Sequence, residues 1–158
     1  MNTHTHKNRT EIATLIHEQM MKARPTFELS TAGVFAIVDR GGEDYEIVEL
    51  VRHADVYEAI TEAIFADYDY DGITVGYALE TTGWAAPLNN DGEVTGGAPS
   101  AHPERRRVRL TAINLANVGA ASVLEFADDP GELITDQGEA TGSLAVDLSR
   151  LTSSRLAE

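Results

Sequence analysis

Short turns between β-type segments constrain the fold of this chain most. Gly41-Gly42 separates the apolar run Val34–Val38 from a second β-type run, Asp44–Leu50, and glycine supplies the positive φ values that a tight hairpin needs. Asn117-Val118-Gly119 forms a second such turn further along the chain. Turns this short join antiparallel strands, because a parallel pair needs a long crossover. We therefore predict a mainly antiparallel sheet.

Helical periodicity on both sides of the first hairpin predicts two helices. Apolar side chains at helical spacing begin after Thr10 and stop before Pro25. A second helix is predicted to begin after Asp55, with Glu58 as the capping-box partner. It should end near Asp67, because acidic residues at a helix C-terminus oppose the helix dipole.

Three further β-type segments follow the second helix. Ile73–Leu79 alternates apolar with small or polar residues, which predicts a half-buried strand. The segments 105–115 and 120–127 lie on the two sides of the second turn and read as strands. Residues 82–104 are rich in Gly and Pro, and residues 132–142 are polar, so both are predicted to be irregular.

A last helix is predicted from Ser143, with Leu151 on its apolar face. The predicted order is therefore α-β-β-α-β-β-β-α, an α+β fold in which three helices cover a mainly antiparallel sheet of about five strands. A chain of 158 residues is the usual size of one domain. We expect residues 1–8 to form a flexible tail and residues 9–158 to form a single domain.

Charge excludes several classes of function. The chain carries a net charge of −14, and residues 28–93 hold fifteen acidic residues against two arginines. Such a surface repels phosphate backbones, so we expect no nucleic-acid partner.

The apolar runs are far shorter than the roughly 18 residues of a membrane span, and no basic-then-apolar leader opens the chain. We therefore expect a cytoplasmic protein that does not contact membranes. The chain has no Cys, which excludes disulfides and thiolate chemistry.

One acidic turn resembles the first half of a calcium loop. Asp67, Asp69 and Asp71 alternate before Gly72, so three carboxylates can converge on one hard cation. The twelfth position of such a loop should be a bidentate Glu, and here it is Ala78. A solvated turn of ordinary turn-forming residues therefore competes with a calcium site, and no other cofactor is expected.

The irregular segment 82–104 is the next candidate site. A connection of this length inside a small domain is usually functional or mobile. It contains Trp84, the only tryptophan of the chain. This side chain can line a pocket or contact a partner, although a tryptophan at a strand end often closes the core instead.

Alternate positions of the following strand place three arginines on one face: Arg105, Arg107 and Arg109. Arg106 points to the other face. Three guanidinium groups in a row can hold a phosphate or carboxylate ligand. The alternative is that they pair with carboxylates across the sheet, such as Glu80 or Glu125.

His102 is the main catalytic candidate. It could act as a general base, with Glu104 or Asp128 orienting it and Ser100 as a nucleophile. The nucleophile-elbow motif of hydrolases is absent from the sequence. A small hydrolase is therefore the rival hypothesis rather than the favoured one.

Three segments carry a family resemblance: Thr81–Pro87, His102–Leu110 and Phe126–Pro130. In these segments the chain resembles a family of small, functionally uncharacterised proteins of actinobacterial type, over about half its length, from Leu79 to Leu151. The resemblance implies no activity and no catalytic residues.

The favoured hypothesis is a non-enzymatic binding or regulatory protein. Its contact surface would be the 82–104 loop with the strand Arg105–Arg109, including Trp84 and His102. The candidate partners are another protein, a small anionic ligand or a second copy of the chain.

Overall fold

The computed structural model describes residues 8–41, 45–65, 68, 70–85, 104–116, 118–136 and 149–153. The helices and strands within these ranges are α1 (Arg9–Ala23), β1 (Ala32–Asp39), β2 (Glu46–His53), α2 (Val56–Phe65), β3 (Ile73–Ala85), β4 (Arg106–Leu115), β5 (Gly119–Phe126) and β6 (Asp129–Asp136). Residues 149–153 are also helical.

The six strands form one sheet in the order β2-β1-β3-β4-β5-β6, and every neighbouring pair is antiparallel. The connection through α2 carries the chain from the β2 edge to the far side of β1, where β3 pairs. All other neighbouring strands follow each other directly in the chain. The predicted α+β class with an antiparallel sheet is therefore confirmed.

The prediction of five strands was wrong, because residues 132–136 form part of a sixth strand. β6 folds back on β5, so that Glu125 lies opposite Leu133 and Leu124 lies opposite Ile134. Gly131 adopts φ 92°, a conformation that suits glycine at the start of this strand. β6 pairs the edge that β5 would otherwise expose.

β3 is longer and more buried than predicted. Residues 82–85 continue the strand, with Thr82 opposite Arg109 and Trp84 opposite Arg107, so the prediction that they are irregular was wrong; residues 86–103 lie outside the described residues. Residues 76–80 are buried on both faces of the sheet, because a helix covers each face. Ala78 and Leu79 point to opposite faces, and both are fully buried.

The helix starts follow local side-chain hydrogen bonds. Asn8, at the end of the predicted tail, caps α1, with its Oδ1 accepting from Glu11 N at 2.8 Å; the rest of that tail lies outside the described residues. Asp55 caps α2 as predicted, accepting from Tyr57 N at 2.8 Å. Glu58 instead contacts the His53 ring, with 2.9 Å between Oε2 and Nε2.

Two apolar cores lie on the two faces of the sheet. α1 covers β4 and β5 and buries Ile12, Ala13, Ile16, His17 and Met20. α2 covers β1 and β2 on the opposite face, where the fully buried Leu151 joins the same core. Residues 137–148, with the predicted start of the last helix, lie outside the described residues. In the parts of the chain that the structure describes, no helix is long and apolar enough to cross a membrane.

Candidate functional site

On the α1 face of the sheet, two arginines contact one buried carboxylate. Glu80 of β3 lies opposite Gly33 of β1 and Thr111 of β4, and its side chain is 1% exposed. Arg109 of β4 donates to Glu80 Oε2 at 2.5 Å, and Arg52 of β2 donates to Oε1. A buried carboxylate is stable only when such partners offset its lost hydration.

Arg109 joins this carboxylate to the C-terminal end of α1. Its guanidinium is fully buried and donates to the carbonyl oxygens of Met20 at 3.2 Å, of Thr26 at 2.9 Å and of Arg24. It therefore fixes the C-terminal end of α1 and the segment that follows it to the sheet. Burial, together with the nearby cation Arg52, lowers the pKa of Arg109 to about 10. The group remains charged at neutral pH.

Two further arginines extend the cluster towards solvent. The Arg52 side chain is 15% exposed, and its Nε donates to Glu49 Oε1 at 2.5 Å. Arg24 is 46% exposed and lies 3.5 Å from Glu49 and 3.8 Å from Glu80. The cluster of Arg24, Glu49, Arg52, Glu80 and Arg109 thus contains three cations and two carboxylates.

A second polar cluster lies deeper under α1. His17 Nδ1 is 2.7 Å from Thr111 Oγ1, and His17 Nε2 is 2.6 Å from Glu125 Oε1. Glu125 Oε2 also accepts from Gly131 N at 2.9 Å. The order of groups matches a nucleophile, a base and an orienting acid. Thr111 is fully buried, however, so this cluster joins α1 to β4, β5 and β6 rather than presenting a nucleophile.

Trp84, near the end of β3, contacts two arginines near the start of β4. The guanidinium carbons of Arg105 and Arg107 are 4.8 and 4.2 Å from the indole centroid. Both distances are those of cation–π contacts. Arg107 Nη2 also approaches Glu28 Oε1 at 3.5 Å. We call Trp84, Arg105 and Arg107 the tryptophan–arginine surface.

Arg106 points to the other face of the sheet. It lies 3.8 Å above the Phe126 ring and donates to both carboxylate oxygens of Asp128, at 2.9 and 2.6 Å. The hydrogen bond to Asp128 raises the pKa of Arg106, and the hydrogen bond from Arg106 lowers the pKa of Asp128.

The structure therefore brings Trp84 together with Arg105 and Arg107 and separates Arg109 from them by burial. The cross-strand pairing considered for the arginines occurs between Arg109 and Glu80. Glu104 is exposed next to β4.

The remaining predicted residues, His102, Asp67 and Asp69, lie outside the described residues. Asp71 is described, and its carbonyl accepts from Arg40 Nε at 3.2 Å. In the described ranges, no three His, Asp or Glu side chains are grouped to hold a metal ion.

Sequence reasoning did not select His17, Arg52 or Glu125 as site residues. The sequence signal that could have found such residues is a charged or polar residue inside an apolar run. Glu80 follows Leu79, and His17 follows Ile16. That signal indicates burial with partners, but it does not identify the partners, which come from strands that are distant in sequence.

Comparisons of the chain with protein-family models, curated proteins and solved structures find no match.

Proposed function

We propose that this chain is a non-enzymatic binding protein whose tryptophan–arginine surface receives an acidic segment of a partner protein. The observation that carries the proposal is the contact of the Trp84 indole with the guanidinium groups of both Arg105 and Arg107. Residues 86–103, which lie outside the described residues, adjoin this surface in sequence.

Stacking on an indole prepares an arginine to bind carboxylates. A guanidinium group carries its five N–H donors in its own plane, in a fork that matches the two oxygens of a carboxylate. The cation–π contact with the indole restrains the group without using these donors. Side chains that are ordered before binding lose less entropy when the partner arrives.

An internal carboxylate already occupies part of this surface. Glu28 approaches Arg107 at 3.5 Å, and its side chain is 76% exposed. A pair this long and exposed contributes little to stability. A carboxylate of the partner can therefore replace Glu28 at small cost.

The charge of the whole chain directs an acidic partner to this surface. The net charge is −14, whereas residues 105–109 contain four arginines and no acidic residue. Of these four, Arg106 is engaged by Asp128 on the opposite face, and Arg109 is buried. Repulsion from the remaining surface disfavours other orientations of an acidic segment.

A polyglutamate peptide tests the proposal directly. Trp84 is the only tryptophan, so its fluorescence reports binding at this surface. We expect saturable binding that weakens about tenfold or more in Arg105→Gln and Arg107→Gln, because each variant loses a charge-assisted hydrogen bond. Arg106→Gln is the matched control, since it removes the same charge from the same strand on the other face.

Glu28→Gln should tighten the same binding, because it removes the competing carboxylate. Equal weakening in Arg106→Gln and Arg107→Gln would show a general charge effect and contradict the proposal. Absence of saturable binding would also contradict it. Light scattering on the free protein tests the remaining candidate partner, a second copy of the chain. A dimer mass that Arg107→Gln abolishes would assign the surface to that second copy instead.

A further inference from the structure

A cavity of about 360 Å³ opens between the C-terminal end of α1 and strands β1 and β2. One side is charged and contains Arg24, Glu49 and Arg52, with Glu80 at the inner end. The other side is apolar and contains Met20, Phe35 and Ile47. None of its lining residues belongs to the tryptophan–arginine surface, so the cavity is a separate feature.

We propose that this cavity binds a small monocarboxylate with a short apolar body. The carboxylate would contact Arg24 and Arg52, and the apolar body would pack against Phe35 and Ile47. Ligand sites of this kind are concave, largely apolar, and carry a few polar groups that fix orientation. The volume is at the lower end of the usual range for such sites, which restricts the ligand to a small molecule.

The charge balance around the cavity favours one negative charge on the ligand. Arg24, Arg52 and the adjacent Arg109 face two carboxylates, Glu49 and Glu80. One cation is thus in excess, and a monoanion balances it.

The two acidic residues at the cavity have different roles. Glu80 is 1% exposed and held by Arg52 and Arg109, so it stays in place. Glu49 is 42% exposed, contacts Arg24 at 3.5 Å and accepts from Arg52 Nε at 2.5 Å. Only the longer contact, with Arg24, gives way when a ligand carboxylate arrives, whereas Glu80 fixes the orientation of Arg52.

The apolar side of the cavity distinguishes this ligand from inorganic anions. The Arg52 guanidinium lies 5.8 Å from the Phe35 ring centroid, so the charged and apolar sides meet at this pair. A ligand that spans both sides gains binding affinity from its contacts with the arginines and from burial of its apolar carbon atoms. Acetate or phosphate can use only the charged side.

Isothermal titration calorimetry with defined probes tests the proposal on the full chain. We expect hexanoate and phenylacetate to bind, acetate and inorganic phosphate to bind at least about tenfold more weakly, and hexanol not to bind. Arg24→Gln should weaken hexanoate binding about tenfold. Arg40→Gln is the matched control, because Arg40 is 40% exposed and pairs with Glu46 away from the cavity.

Two further variants separate the parts of the site. Glu49→Gln should tighten hexanoate binding, because it removes the competing carboxylate. Ile47→Ala should weaken hexanoate binding but leave acetate binding unchanged. No heat with any carboxylate, or equal effects of Arg24→Gln and Arg40→Gln, would overturn the proposal. Phosphate binding as tight as hexanoate binding would overturn it too, in favour of a general anion site. Arg107→Gln should not affect hexanoate binding, so the failure of this proposal is distinguishable from that of the proposed function.

Discussion

Glu80 allows Arg109 to be buried. A guanidinium with no exposed surface keeps its charge only if a carboxylate and carbonyl oxygens replace water, and Glu80 with three carbonyls provides both. Removing one partner of such a pair leaves the other as an uncompensated buried charge. The contribution of Glu80 should therefore greatly exceed that of Glu49, which also accepts from an arginine but is half exposed.

Glu80→Gln should lower the free energy of unfolding by about 3–5 kcal/mol. The neutral side chain keeps a similar shape but no longer balances Arg109. Glu49→Gln is the control and should cost at most about 1 kcal/mol, because its ion pair is largely solvated. Urea unfolding at neutral pH, followed by the fluorescence of Trp84, measures both. Similar losses in the two variants would contradict the argument.

Asp128 should titrate below the usual range of an aspartate. The bidentate contact from Arg106 stabilises the charged carboxylate and holds the pKa of Asp128 below 3.8. Because the folded pKa is the lower one, this pair stabilises the fold above pH 3.8 and loses that effect as pH falls through the folded pKa. An NMR titration of the carboxyl carbon measures the pKa, which should rise towards 3.8 in Arg106→Gln. An unchanged pKa in that variant would contradict the assignment to Arg106.

At the scale of elements, periodicity and turn residues predicted both long helices and the first five strands. Those signals are local, because each of them spans only a few neighbouring residues. Examples are the apolar run of β1, the cap at Asp55 and the turn at Gly119. β6 was missed because Pro130 and Gly131 read as the end of a strand. An edge strand tolerates proline near its start, and Leu133 and Ile134 then supply the β-type residues.

The candidate site was only partly predictable for a related reason. Strand alternation correctly separates Arg106 from Arg107, and the cross-strand register then places Arg107 opposite Trp84. Burial of Arg109 depends on α1 ending above it, and nothing local to β4 indicates where that helix ends. The partners of His17 likewise come from β4 and β5, which lie far away in the sequence.

Gly131→Ala should destabilise the β5–β6 hairpin by about 1–2 kcal/mol. Gly131 has φ 92° and nothing within 4 Å of an added Cβ, so the cost is backbone strain alone. Gly83→Ala is the matched control. Gly83 also has open space but no positive φ, and alanine there should be neutral or stabilising by up to about 1 kcal/mol. Urea unfolding compares them, and the argument fails if Gly131→Ala costs no more than Gly83→Ala.

At the scale of the whole molecule, the acidic residues outnumber the basic ones by 26 to 12. Half of the ten arginines lie under the end of α1, around the cavity or beside Trp84: Arg24, Arg52, Arg105, Arg107 and Arg109. Most other surface charge is therefore negative. The arginines therefore place positive charge at the two proposed sites, whereas the net negative charge of the chain repels acidic molecules elsewhere. It also means that like-charge repulsion acts on the folded state.

Salt should therefore stabilise this protein at neutral pH. Raising NaCl from about 0.01 to about 0.1 M shortens the Debye length from about 30 to about 10 Å. That change screens repulsion among exposed carboxylates more than it weakens buried pairs such as Glu80 with Arg109. The urea midpoint should rise with salt at pH 7. It should not rise near pH 4.6, the isoelectric point of the sequence, because little net charge remains there to screen. A midpoint that falls with salt at pH 7 would mean that attractive surface pairs, rather than repulsion, dominate the electrostatic energy of the fold.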